Sequence, residues 1–327
     1  MVRFRLVFLA VTFFFFVKNL VANDSLAVDT TGKTVDSVQA WKINNSFFIT
    51  FNQIAFSNWA TGGETSISGK ANYDFKVTYD KNRFKFYHES HFAFGMVGYF
   101  NKRLEKTDDM INLITSFGQT INKNWATTAL INFKSQFARG YKYPDDSTLI
   151  SEFMAPGYLT LSLGANFKPN DHFQIFLSPV SGKFTFVLNQ ELADKGAYGV
   201  KKAIVDTAGN IIQHGEKMLG ELGMNIVTSY NQTMMKNIKF VSILTLHNNF
   251  IDKNTNQIWI FDIDWDSKMI FKINKLFATV FYFHLKYDKN AKFPVYDTND
   301  EGEQVIVGSK AKVQIKESLG LSITFKI

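Results

Sequence analysis

ISGKANYDFKVTY, residues 67–79, decides the fold. Ile67, Gly69, Ala71, Tyr73, Phe75, Val77 and Tyr79 hold the odd positions, while Ser68, Lys70, Asn72, Asp74, Lys76 and Thr78 hold the even ones. An extended chain sends successive side chains to opposite faces, so this period of two predicts a strand with one apolar face and one charged face. IWIFDIDWDSK, residues 258–268, repeats the pattern with Trp259, Phe261, Ile263 and Trp265 set against Asp262, Asp264, Asp266 and Lys268. KLFATVFYFHLKY, residues 275–287, does so again, with Phe277, Phe281, Phe283 and Leu285 alternating with Ala278, Tyr282, His284 and Lys286.

The same test along the chain predicts about twelve strands, at 45–53, 67–79, 84–98, 109–120, 124–137, 157–168, 172–181, 218–231, 238–250, 257–272, 275–287 and 312–327. Most are far longer than the ~5–6 residues of an average strand. They have the length of a bilayer crossing tilted by roughly 45°. The connections alternate as well. Residues 80–83, 121–123, 169–171, 232–237 and 273–274 are short, whereas 54–66, 99–108, 138–156, 182–217 and 288–311 are long, and only 251–256 is out of keeping. Short periplasmic turns and long external loops are the habit of outer-membrane barrels. Hydrocarbon offers no partner to an unpaired N–H or C=O, so strands placed there must close into a ring.

The predicted fold is therefore all-β, a single closed antiparallel transmembrane β-barrel over residues 41–327. Its lumen candidates are Lys70, Lys76, Glu89, Lys134, Asp262, Asp264, Asp266, Lys268 and His284. Its lipid-facing candidates are Tyr73, Phe75, Trp259, Phe261, Trp265, Phe281, Phe283 and Phe325. Twelve strands at ~4.8 Å spacing and ~40° tilt predict a backbone diameter of roughly 24 Å, with ~10 Å left between inward side chains.

Composition fits this reading. The 327 residues include 34 Phe and only 5 Pro, and the longest uninterrupted apolar stretch of the mature part is far too short for a helical span. Arg3 and Arg5, the apolar run Leu6–Val17 and a cleavage point near Ala22 predict a signal peptide over residues 1–22, followed by a flexible periplasmic lead-in over 23–40. Removing Arg3, Arg5 and Lys18 lowers the net charge from +7 to +4, which does not point to nucleic acid. There is no Cys, so neither disulfides nor a lipidated cysteine can contribute. The C-terminal alternation through Leu319, Leu321, Ile323, Phe325 and Ile327 is similar to the terminal strand read by barrel-assembly machinery, although the last residue is not aromatic.

FNQIAFSNWATGGETSISG (51–69), LINFKSQFARGYKYPDD (130–146), FMAPGYLTLSLGANFKPNDHFQIFLSPVSGKFTFV (153–187) and HGEK (214–217) together carry a resemblance. The chain resembles a Bacteroidota outer-membrane family known as domain of unknown function 3078, from about Trp41 to the C-terminus. The resemblance implies a Gram-negative outer membrane and transfers no activity to any residue.

Chemistry is sparse. Asp262, Asp264 and Asp266 recur every ~6.6 Å along one face, too wide for adjacent ones to chelate Ca²⁺ without ligands from other strands, and a hydrated wall balanced by lysines is the simpler reading. The six His form no metal-ligand run, and His88 and His91 differ in parity. No GxSxG is present, and Asn58–Ser66 lacks the Lys of a phosphate loop. The sequence thus predicts no enzyme, cofactor or metal. It leaves a passive channel for small solutes beside a closed structural or partner-binding barrel of an envelope or secretion complex, with an outer-membrane enzyme as the remote alternative and membrane lipid as the common partner. The segment 182–217 is the expected seat of any specificity, as plug, partner surface or plain loop.

Overall fold

A computed structural model describes residues 40–55, 64–99, 102–251, 260–298 and 303–326. Twelve strands form one closed barrel: β1 Trp41–Ile54, β2 Ser66–Lys81, β3 Phe84–Tyr99, β4 Glu105–Thr120, β5 Trp125–Ser135, β6 Gly157–Phe167, β7 Phe173–Phe186, β8 Met218–Met235, β9 Ile238–Asn249, β10 Asp262–Lys272, β11 Phe277–Tyr287 and β12 Gln314–Lys326. Each pairs antiparallel with its neighbours in sequence, and β1 closes the ring on β12 through Phe47↔Phe325 to Phe51↔Leu321. A closed ring leaves no unpaired edge. The signal peptide, nearly all of the lead-in and Trp259 lie outside the described residues, as does the side chain of Phe325.

Asparagine builds three of the short turns in the same way. Asn122, Asn170 and Asn274 each accept hydrogen bonds at Oδ1 from the backbone N–H groups two and three residues ahead, at 2.8–3.1 Å. A short polar side chain that folds back on its own backbone stops one strand and aims the next. The β2–β3 turn uses Asn82 at φ 59° instead.

Curvature comes from bulges. Register shifts fall at Leu163/Ala165 and Gly223/Asn225. A Cβ on Gly164 would lie 2.0 Å from the Leu177 carbonyl oxygen, and one on Gly223 would lie 1.5 Å from that of Asn248, so the backbones approach where only glycine fits. Ser178 donates from Oγ to the carbonyls of Leu163 and Val180 and serves the groups that the bulge releases.

The outer wall is where the apolar mass lies. Ile43, Phe51, Phe84, Leu163 and Leu319 are all half or more exposed on it. Around the short-turn rim Trp41 meets Tyr79 at 4.7 Å and Phe86 at 5.8 Å, Phe86 meets Phe117 at 5.2 Å, and Trp125 meets Phe167 at 4.7 Å. Among the described residues, no helix is long and apolar enough to cross a membrane.

Two boundaries differ most from the sequence reading, by five residues each. β10 begins at Asp262 rather than 257, because the Phe250 N–H bonds to the Leu222 carbonyl at 2.8 Å and draws the end of β9 toward β8 after the His247↔Asp262 pair. The connection out of keeping therefore spans 250–261 and matches the other long loops. β7 runs on to Phe186, and the rest of the long segment is a cap with its own small core: Val187, Leu192, Ala193 and Val200 bury themselves with Ala155, and Tyr198 Oη donates to the Ile150 carbonyl at 2.6 Å.

Candidate functional site in the barrel interior

The barrel encloses a cavity of about 1680 Å³. All nine lumen candidates line it: Lys70, Lys76, Glu89, Lys134, Asp262, Asp264, Asp266, Lys268 and His284. No residue of 187–217 does, so the cap packs above the lumen wall and not within it. Tyr73, Phe75, Trp265, Phe281 and Phe283 have the opposite parity on the same strands and point outward. There Tyr73 stacks on Phe92 at 6.3 Å, Trp265 meets Phe283 edge-on at 5.4 Å, and Phe281 is 39% exposed. Phe261 precedes β10 and belongs to no strand.

Charged side chains meet across the interior. Lys134 on β5 donates to Asp264 on β10 at 2.8 Å, although five strand steps separate them in a ring where six is the greatest separation. Lys286 on β11 lies 4.9 Å from the ring centre of Tyr158 on β6, again five steps away. These pairs fill the ~10 Å of free width expected from strand number alone. Parity fixes which face a side chain takes; it does not say which far strand the side chain will touch.

Three groupings organise the wall. In the first, Asp264 receives Lys134 and also His284 Nε2 at 2.9 Å, while Tyr282 donates to Asp266. Ligand atoms of Asp264, Asp266 and His284 lie within 4.8 Å of one another, which is metal-like spacing. Their oxygens are already engaged, and Lys134 brings a positive charge where a cation would sit, so the grouping is an ion-pair cluster. In the second, Asp108 on β4 takes Lys316 of β12 at 2.6 Å and Lys70 of β2 at 3.2 Å. In the third, Lys183 of β7 meets Asp262 at 2.7 Å, Glu221 of β8 at 3.3 Å and Asp288 beyond β11 at 3.9 Å. Glu221 also accepts from Asn249 and Asn290, and the Lys289 N–H donates to Asp262 at 3.1 Å. The last grouping is nearly sealed from solvent, with the Lys183 side chain 12% exposed and that of Glu221 1%.

Sequence reasoning missed Lys183, Glu221 and Asp288. The signal was present: single charges inside the apolar runs GKFTFV and LGELG are costly unless each finds a partner. The histidines separate as parity requires. His91 lines the cavity beside Asp74, whereas His88 on the outer face is held by Thr115 at 2.9 Å and Ser90 at 2.8 Å. His247 is buried next to Asp262, with neither ring nitrogen hydrogen-bonded among the described residues.

The family described as "Protein of unknown function (DUF3078)" matches residues 51–141, a span from the end of β1 past β5 that leaves 153–187 and 214–217 outside it. No curated protein matches the sequence. An outer membrane channel from Pseudomonas putida F1 is 11% identical with a TM-score of 0.38, over 92% of this chain and 100% of that one. The translocator domain of autotransporter NalP from Neisseria meningitidis is 8% identical with a TM-score of 0.33, over 86% and 87%. The toluene transporter TodX of P. putida is 9% identical with a TM-score of 0.33, over 89% and 80%. Likenesses this distant carry no activity to the present chain. The closed antiparallel barrel rests on its own strand pairing.

Proposed function

We propose that the protein is an outer-membrane barrel that passes small solutes. It is exported by its first 22 residues and inserted through its C-terminal strand, with Tyr73, Phe75, Trp265, Phe281 and Phe283 against lipid. The observation that carries this reading is the inverted polarity: a closed sheet surrounds a large charged cavity and turns its big apolar side chains outward. Wet interiors serve passage because charged walls replace some of the hydration that a polar solute gives up on entry.

The Lys134–Asp264 pair favours a second reading, a barrel closed across its middle that serves as a structural or partner-binding element. Conductance of the purified protein in planar bilayers separates the two. The channel reading expects discrete openings, and larger ones in Lys134→Gln, where the crossing ion pair is lost. A protein that stays silent in both forms belongs to the closed class.

A further inference from the structure

Charge is segregated along the cavity. In its loop-side half the carboxylates are matched by cations, with Asp108, Asp264 and Asp262 held by Lys316, Lys134 and Lys183. The short-turn half differs. Lys236, Lys239, Lys268, Lys272 and Lys275 line it on β9, β10 and the turns at their ends. The stretches 236–243 and 268–282 contain no Asp or Glu at all. Lys236, Lys268, Lys272 and Lys275 have no carboxylate partner among the described residues. Lys239 stands opposite Ile270, the inward position between Lys268 and Lys272. Inward positions on one strand recur every ~6.6 Å. That is less than the Debye length of ~8 Å at physiological salt, so neighbouring lysines act on a solute together. The nearest carboxylates among the described residues are Asp266, one inward step from Lys268 and engaged with Tyr282, and on the facing wall Asp74, engaged with His91, and Glu89, engaged with Tyr87; that wall adds Lys76.

We propose that this half of the cavity is a receiving site for small anionic solutes bearing carboxylate or phosphate groups, and that it makes the passage anion-selective. The inference rests on the channel reading for its transport part only. A concave wall of one sign, backed by low-dielectric protein and lipid, concentrates counter-ions at its mouth.

Two measurements on the full mature chain test it. In planar bilayers under a KCl gradient, the reversal potential should report chloride favoured over potassium by about threefold or more, and replacing the five lysines by Gln should bring the ratio near one. In detergent, the trisulfonated dye pyranine should bind with an affinity that falls as salt rises and is lost in the same five-lysine variant, while Lys81→Gln/Arg83→Gln/Lys85→Gln, at the rim outside the cavity, keeps it. Heat-modifiable gel mobility verifies that both variants fold. Conductance without anion preference and without dye binding overturns the inference and leaves the channel reading standing. Dye binding without conductance does the reverse.

Discussion

Lys183→Met is the substitution with the largest consequence for stability that the interior supports. The ammonium sits 2.7 Å from Asp262, 3.3 Å from Glu221 and 3.9 Å from Asp288, and its side chain is only 12% exposed. Methionine fills nearly the same volume, so packing is conserved and the change is electrostatic. Three carboxylates, with side chains 11%, 1% and 8% exposed, would be left facing one another without their cation. Removing one partner of a buried ion pair costs about 3–5 kcal/mol. The cost arises in the carboxylates left behind, so Lys183→Met/Glu221→Gln/Asp262→Asn should recover all but about 1–2 kcal/mol of it, since neutral isosteric replacement of a buried pair is often close to neutral. Guanidinium unfolding of the protein in phospholipid vesicles, followed by tryptophan fluorescence, measures both as shifts of midpoint at constant slope. A loss under about 1 kcal/mol for Lys183→Met, or no recovery in the triple variant, refutes the assignment of this cluster as an electrostatic clasp between β7, β8, β10 and the loop beyond β11.

Two further expectations concern the backbone and the cap. Gly164→Ala puts a methyl group 2.0 Å from the Leu177 carbonyl oxygen and should reduce the folded, heat-modifiable fraction sharply, whereas Gly308→Ala, with nothing within 4 Å, should leave it unchanged. The Asp194 carboxyl is held below its ordinary 3.8 chiefly by the Gly215 N–H, with Gln190 and His214 adding to the effect. A lowered folded value means that this strap on the cap is fully present above the ordinary carboxylate range and is lost as pH falls through the lower, folded one. The Gly215 amide should accordingly keep its hydrogen-exchange protection, corrected for intrinsic rate, through the ordinary carboxylate range and lose it only below that range; Asp194→Asn should expose Lys195, Lys201 and Lys202 to trypsin at neutral pH.

How far the sequence discloses this molecule depends on the range of the interaction. Alternation is local, so the twelve strands are legible from Trp41 to Lys326, and the short turns follow from asparagines that bond to their own neighbours. The start of β10 is not legible, because the apolar run 258–261 leads straight into the alternating stretch while the end of β9 is claimed by Leu222. Parity also leaves the lumen's contacts unread: that Lys134 reaches Asp264 depends on tilt and closure of the whole ring. The cap reads in the sequence only as a long segment, because its core joins Val187, Leu192 and Val200 to Ala155 of another loop, and no periodicity reflects such a contact.

The central claim is the direction in which the two faces of each strand point, and β11 offers the most direct measurement. The chain has no native cysteine, so single cysteines at 281, 282, 283 and 284 can each carry a nitroxide label in lipid vesicles without background. Labels at Phe281 and Phe283 should collide mainly with oxygen dissolved in the hydrocarbon, and those at Tyr282 and His284 mainly with a water-soluble nickel reagent. The opposite alternation, or none, would contradict a barrel that turns its apolar face to lipid.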